Sequence, residues 1–363
     1  MEEIYYHGID IGSAYIKFIT LSLDKEHKKT KIIAKNSYPS LGVSNGYISN
    51  LELFNKSFSS ALNKFQKETK QKISEAVFSI DSYGTNSKKI KINHQVLNQA
   101  EISDVDITEI ERKINLLAKK NIQGKIIYSS LVKYKINNYE YYSNIEGLAA
   151  KKIEAEYIFV YLPENHILNL EKIAAKNDIS ILNFSNGNIE AAKNNLEKED
   201  LNLGVLNIEI GADKTIFSIW ENGNLNYLES LNYGSNDISK KISFDKKISF
   251  NEAEKLKRNN DQSIQKIIEE ESQNLAKKIK DEILEQEKIL PAGAVIYGGG
   301  AKNDILKVNF REILSMPIKK YSKNISDSNT DYQNIYSSLI SFIKNEEKEK
   351  IFDFSKILRF FKK

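Results

Sequence analysis

A chain of 363 residues has room for two cores, and its 40% hydrophobic share is enough to fill them. Lys plus Arg (53) barely exceeds Asp plus Glu (49), and a net charge of +4 interspersed over this length does not fit a nucleic-acid partner. Cysteine is absent, which excludes disulfides, thiolate metal sites and a cysteine nucleophile.

The acidic opening Met1-Glu2-Glu3 runs straight into a strand pattern and does not resemble a signal peptide. No apolar run approaches the ~20 residues that span a bilayer, so the expectation is a soluble chain whose membrane role can only be peripheral. Apolar runs at 4–11 and 15–21 predict two strands joined at Gly12-Ser13. Glycine at the tip lets a ligand approach the backbone, and consecutive amides there make a concave anion site. Asp10, two residues before the tip, is placed to hold a hydrated Mg²⁺ against a phosphate. Taken alone, this is also an ordinary hairpin.

Residues 31–35 predict a third strand, followed by a glycine-punctuated loop over 39–52. A helix then carries Leu53, Phe54, Phe58, Ala61, Leu62 and Phe65 on one side, and 76–80 is a buried strand. Between 81 and 156 the pattern changes to short strands (88–92, 125–128, 131–136, 140–143) around one helix at 108–120, capped by Asp106 or Thr108. That predicts a small α+β insert. Residues 157–162 read as a buried strand returning to the main sheet, followed by a helix at 165–176, a strand at 179–184 and a helix at 188–196.

The strand–acid–glycine–strand device then recurs within 203–220, as Glu209-Ile210-Gly211-Ala212-Asp213-Lys214. Gly234 and Asp237 lead into helices at 251–258 and 262–290, the second stopped by Pro291. A short strand at 294–297 runs into Gly298-Gly299-Gly300 and a helix at 303–314. The stretch 319–331 is polar loop, 332–344 a helix and 346–350 a charged connector. Two phosphate-type hairpins followed by a late strand–glycine turn resemble the actin and sugar-kinase superfamily. That resemblance implies an α/β fold of two related, RNase H-like halves with ATP in a cleft between them.

The last thirteen residues form a separate signal. At ~100° per residue, Ile351, Phe354, Ile357, Leu358 and Phe361 fall within an arc of about 120°. Ser355, Lys356, Arg359, Lys362 and Lys363 lie opposite, Phe352 interrupts the polar face and Phe360 sits at its edge. Large apolar groups facing Lys and Arg describe a helix lying in the plane of a membrane surface. A helix packed on its own domain needs the apolar stripe but not the basic face.

Within the superfamily the chain resembles FtsA, the actin-like protein of bacterial cell division. The resemblance rests on Gly8-Ile9-Asp10-Ile11-Gly12-Ser13 with Lys17, on Ser40, Gly42, Gly46 and Ile48 before the first helix, on the insert, and on the amphipathic tail. It implies a first core (1–80, 157–200 and 332–345) carrying the insert (81–156), a second core (201–235 and 290–331), a helical subdomain (236–289), and a linker with membrane-targeting helix (346–363). It implies ATP and Mg²⁺ as cofactors, with Asp10, Gly12, Ser13, Lys17, Gly211, Ala212, Lys214, Gly234, Glu254, Lys257, Gly298, Gly299 and Gly300 around the nucleotide and Asp10 and Glu209 facing the metal through water. It further implies self-association into protofilaments, the C-terminal peptide of FtsZ as partner of the helical subdomain, and an anionic lipid surface for the tail, at the cytoplasmic face of the membrane at the division site.

The residues leave alternatives open. Asn251 with Glu254 also makes a capping box, Glu254 and Lys257 an i,i+3 ion pair, and the glycines at 298–300 an ordinary turn. The histidines His7, His27, His94 and His166 are scattered without metal spacing. The second hairpin of the superfamily usually reads Asp-Ile-Gly-Gly-Gly-Thr. Glu209 has a longer reach, and Asp213 puts a negative charge where a γ-phosphate is expected. Two such charges ~4 Å apart repel by about 4 kcal/mol at an effective dielectric of 20. No residue stands out as a catalytic base, so nucleotide binding is expected rather than rapid hydrolysis. Two other readings are a PilM-like pilus assembly protein of the same fold and a sugar-kinase-like phosphotransferase.

Overall fold

The structure, a computed structural model, describes residues 3–24, 26, 29–96, 101–286, 290–321 and 331–360, with side chains at all of these except 3 and 347–360. The chain divides into two compact units, Met1–Asp81 with Asn169–Asn195 and Lys323–Lys363, and Ser82–Leu168 with Leu196–Ser322.

The first unit is built on β1 (Glu3–Ile11), β2 (Tyr15–Asp24) and β3 (Lys29–Pro39), an antiparallel meander. A two-stranded ladder, β4 (Val43–Ser44) with β5 (Tyr47–Ile48), precedes α1 (Leu51–Thr69). Asn50 caps α1 by accepting the Leu53 amide. Phe54, Phe58 and Phe65 of α1 are fully buried, and Phe18 of β2 packs against Phe58 and Phe65. Each such ring contributes ~1.5–3 kcal/mol of burial. Parallel β6 (Glu75–Ser79) and β11 (Ser180–Ser185) complete the order β11-β6-β1-β2-β3. Ile19, Leu21 and Leu23 alternate to the other face, against Ile335, Leu339 and Ile343 of α10 (Gln333–Phe360). α4 (Gly187–Asn195) packs with α10 through Asn194, Asn195 and Glu190, which bond to Ser337 and Ser341.

No Gly or Pro interrupts 333–360, and α10 runs unbroken through 346–350, where a connector was expected. The side chains assigned to membrane contact at Ile351, Phe354, Ile357, Leu358 and Arg359 lie outside the described side chains, and Phe361, Lys362 and Lys363 outside the described residues. No helix among the described residues is long and apolar enough to cross a membrane.

The second unit repeats the topology of the first sheet. β12 (Val205–Ile210), β13 (Thr215–Glu221) and β14 (Asn224–Leu231) form the meander, and parallel β15 (Gly293–Tyr297) and β16 (Ile318–Lys319) follow, in the order β14-β13-β12-β15-β16. Leu206, Ile208 and Ile210 face α8 (Gln265–Glu285) and α9 (Asp304–Leu314) through Leu275, Ile279, Leu306 and Phe310. α6 (Ser235–Lys246) and α7 (Phe250–Arg258) form a smaller cluster with Ile264 and Ile268. α5 (Lys198–Leu203) precedes β12, and α3 (Glu164–Lys176), most of which belongs to the first unit, buries Ile167, Leu170, Ile173 and Ala174. α7 is capped by Ser249 with Glu252, two residues ahead of the expected Asn251–Glu254 box.

The insert differs from expectation in two ways. Its sheet, β7 (Asn86–Gln95), β8 (Lys125–Ile136), β9 (Tyr139–Tyr141) and β10 (Lys152–Leu162), has the order β7-β10-β8-β9. Residues 157–162 therefore belong to the insert, not to the first main sheet. They read as a central buried strand because β10 pairs on both sides. The insert also groups with the second unit. Ser87 Oγ donates to the Leu228 carbonyl and accepts the Leu228 amide, and Ser230 Oγ donates to the Thr85 carbonyl. α2 (Asp104–Asn121) starts earlier than expected because Ser103 and Asp106 form its capping box.

Candidate functional site

Each unit carries one of the expected hairpins. In the first, the Gly12 amide donates to the Tyr15 carbonyl at 3.0 Å, and a Cβ at Gly12 would lie 3.1 Å from that oxygen. Asp10 is buried, and its cross-strand neighbour Lys17 donates to Asp10 Oδ2 at 2.8 Å. Ser13 Oγ accepts the Gly46 amide at 2.9 Å, which ties the glycine loop to the hairpin tip. Lys17 and Ser13, both expected around nucleotide, are thus also bound within their own unit.

Sequence reasoning missed a polar cluster beside Asp10. Ser79 of β6 is its register partner. Asp81 is buried and accepts from Asn334 Nδ2 at 3.0 Å and from the Asn188 amide at 3.4 Å. A Cβ at Gly187 would sit 2.4 Å from Asp81 Oδ2 and 2.6 Å from Ser79 Oγ. Ser79 Oγ, Ser185 Oγ, Asn186 Nδ2 and Gln333 Nε2 are buried with no partner in the protein. Such groups are costly unless water or a ligand reaches them. The legible signals were Asp81-Ser82 after an apolar strand and Asn186-Gly187-Asn188 before a helix.

The second hairpin repeats the first. The Gly211 amide donates to the Lys214 carbonyl at 2.8 Å, and a Cβ at Gly211 would lie 3.1 Å from it. The start of α6 clamps the turn, with the Ser235 amide on the Gly211 carbonyl (3.0 Å) and the Asn236 amide on the Ala212 carbonyl (2.7 Å). Gly234 fits closely, since a Cβ there would lie 2.4 Å from the Ala212 carbonyl oxygen. Its own amide donates to Asp237 Oδ2 at 2.8 Å. Asn236 Nδ2 donates to Asp213 Oδ1 at 2.7 Å, tying that charge to the start of α6. Lys214 is buried.

Lys257 reaches the same place from α7. Its Nζ donates to the Ser235 carbonyl and Oγ, both at 2.8 Å, and to Ser239 Oγ and Glu254 Oε1, both at 2.5 Å. Burial lowers the Lys257 pKa against the opposing pull of Glu254. Burial works against the charge on Glu254 too, but the bonds from Lys257 and Ser239 outweigh it and its carboxyl lies below the ordinary range. The ion pair expected from i,i+3 spacing is formed, and it anchors the helix start that grips the hairpin.

The three glycines divide. Gly298 has φ +97, and a Cβ there would lie 2.6 Å from the Ile210 carbonyl oxygen and 3.2 Å from Glu209 Cγ. At Gly300 it would lie 2.5 Å from Ile210 Cγ2, whereas at Gly299 it would meet nothing within 4 Å. Gly298 and Gly300 are therefore demanded by packing, and Gly299 opens onto space. Glu209 Oε2 is buried without a partner. An orphaned carboxylate oxygen fits a cation held there or through water.

The family model for cell division protein FtsA matches residues 206–341. Cell division protein FtsA of Buchnera aphidicola subsp. Acyrthosiphon pisum is 24% identical over 255 residues, 69% of this chain and 59% of that protein. The chain thus matches less than two thirds of that relative's length. Among solved structures, the PilM-PilN type IV pilus biogenesis complex matches with a TM-score of 0.65 at 12% identity, covering 92% of this chain and 96% of that one. MreB 5 of Spiroplasma citri bound to AMPPNP matches at 0.53 and 13% identity, covering 96% and 98%. At such identities the solved structures speak for the fold alone, and the sequence matches show a likeness to cell division protein FtsA over part of the chain.

Proposed function

We propose that the chain is an ATP-binding, actin-like cell division protein that assembles on the cytoplasmic face of the membrane and tethers FtsZ filaments through its C-terminal helix. The observation that carries the reading is the repeated hairpin: in both units a glycine amide closes on the carbonyl three residues later, beside a carboxylate at Asp10 or Glu209. Backbone turns of this kind bind phosphate, and a protein of this fold has been solved with AMPPNP.

In this reading the hairpin amides bind phosphate oxygens, Lys17 and Lys214 add positive charge, and Gly299 admits the nucleotide against the backbone. Asp10 and Glu209 would hold Mg²⁺, which when bound offsets the charge of the triphosphate. Lys257 acts by fixing the start of α6. Exposed Phe244, at the end of α6, and half-exposed Phe250, at the start of α7, offer apolar contacts for the FtsZ peptide. One tail gives weak attachment, since each buried side chain contributes ~1.5–3 kcal/mol and each basic group ~1 kcal/mol near an anionic leaflet. Many tails on one polymer give firm attachment.

The test is co-sedimentation with anionic vesicles of the whole chain and of a chain lacking 351–363. The whole chain pellets and the truncated one stays in solution; pelleting of both removes the tail assignment. A PilM-like role is the second reading, favoured by the likeness to the pilus complex. It predicts no dependence of lipid binding on the last thirteen residues.

A further inference from the structure

Within the second unit a cavity of about 580 Å³ opens where α2 and β8 of the insert approach the start of β14. Its floor carries the hydroxyls of Tyr134 and Tyr157, 3.2 Å apart. Both side chains are buried, and burial, reinforced at Tyr157 by the bond to Tyr134, pushes both phenols above their ordinary value. Glu111 on α2 stands at the rim and is close enough to act on both phenols. Ile107 and Leu131 supply apolar wall.

The lining contains one carboxylate and no Lys, Arg or His. An anion would meet Glu111 with nothing to offset it, while a cation meets a carboxylate and hydroxyl oxygens with lone pairs to give. Asn224 frames the opening from β14, its Nδ2 donating to the Val132 and Tyr142 carbonyls. The edge of the second main sheet is thereby pinned to the insert, so an occupant would touch both.

We propose that this cavity is a binding site for a guanidinium or ammonium group on an apolar stem, with Glu111 taking the charge, the hydroxyls of Tyr134 and Tyr157 accepting its hydrogens, and Ile107 and Leu131 covering the stem. The group can come from a small free amine or from a side chain of a peptide. Neither source depends on nucleotide.

The test is binding to the full chain of arginine capped at both ends, with capped citrulline, its neutral isostere, as control, followed by amide shifts in two-dimensional NMR. Capped arginine is expected to shift resonances around 107–115, 129–134 and 142–144, and citrulline to bind at least tenfold more weakly. Glu111→Gln, at an exposed position, should weaken arginine about tenfold, with the thermal midpoint kept. A pentapeptide with one central arginine separates the sources: affinity equal to capped arginine means that the group alone is read, and higher affinity that a peptide is the occupant. Equal binding of arginine and citrulline, an unchanged affinity in Glu111→Gln, or no saturable shift up to millimolar arginine overturns the proposal.

Discussion

Replacing the glycines at 298 and 299 by alanine one at a time separates what the turn needs from what its ligand needs. Alanine at 298 must hold φ near +97 and place Cβ 2.6 Å from a backbone oxygen. At φ 97 and ψ 172 the backbone lies in a region open essentially to glycine alone, which costs ~1–3 kcal/mol for a residue with a Cβ, and the overlap with a carbonyl that cannot rotate away adds ~1–3 kcal/mol. A loss of about 3 kcal/mol follows, which at 2–4 °C per kcal/mol for a unit of about 200 residues lowers the melting midpoint of the second unit by roughly 6–12 °C. Alanine at 299 meets no heavy atom within 4 Å, so stability should change by less than ~0.5 kcal/mol. If nucleotide lies against that backbone, however, the same methyl group intrudes on it and ATP binds roughly fivefold more weakly, about 1 kcal/mol. Urea denaturation and ATP titration of the two variants give the answer. Equal destabilisation refutes the steric argument, and unchanged ATP affinity in Gly299→Ala refutes the open face as a nucleotide contact.

Gly8→Ala should cost ~1–3 kcal/mol in urea denaturation, because a Cβ there falls 2.6 Å from Ile335 and 2.9 Å from Leu339, where α10 lies on β1. Lys257→Met removes the donor that joins Ser235, Ser239 and Glu254, leaving a half-buried carboxylate with less compensation. It should cost ~1–3 kcal/mol in denaturation and lower the affinity for ATP. Burial pushes His166 down to about 4 from an ordinary value of 6.5. The unfolded chain therefore takes up this proton first, so stability is full above pH 6.5 and falls progressively as the pH drops towards 4. The loss approaches about 3 kcal/mol, and urea midpoints between pH 7 and pH 4 should show it shrink in His166→Leu.

The parts of this fold that rest on short-range rules were legible. Asp10-Ile11-Gly12 and Glu209-Ile210-Gly211 announce themselves because a strand, an acid and a close-packed turn fall within a few residues. β14 was equally legible but was missed: Asn222 and Gly223 are both left-handed, at φ 52 and 79, and form a two-residue hairpin turn ahead of alternating apolar residues. The sheet to which 157–162 belongs was not legible, since a central strand reads alike in any sheet. Nor could spacing reveal that Asp81, Gly187 and Asn334 meet, because their approach depends on the packing of α4 and α10. The helical continuity of α10 could have been read from the absence of Gly and Pro, but the charge run at 346–350 suggested a break.

The most direct measurement of the central claim is equilibrium binding of ATP–Mg²⁺ to the intact chain with one hairpin altered at a time, by Asp10→Asn or by Glu209→Gln. If each hairpin's carboxylate serves ATP–Mg²⁺ as proposed, each variant alone weakens binding about tenfold or more. A variant of either hairpin that binds ATP–Mg²⁺ as tightly as the unaltered chain contradicts the account.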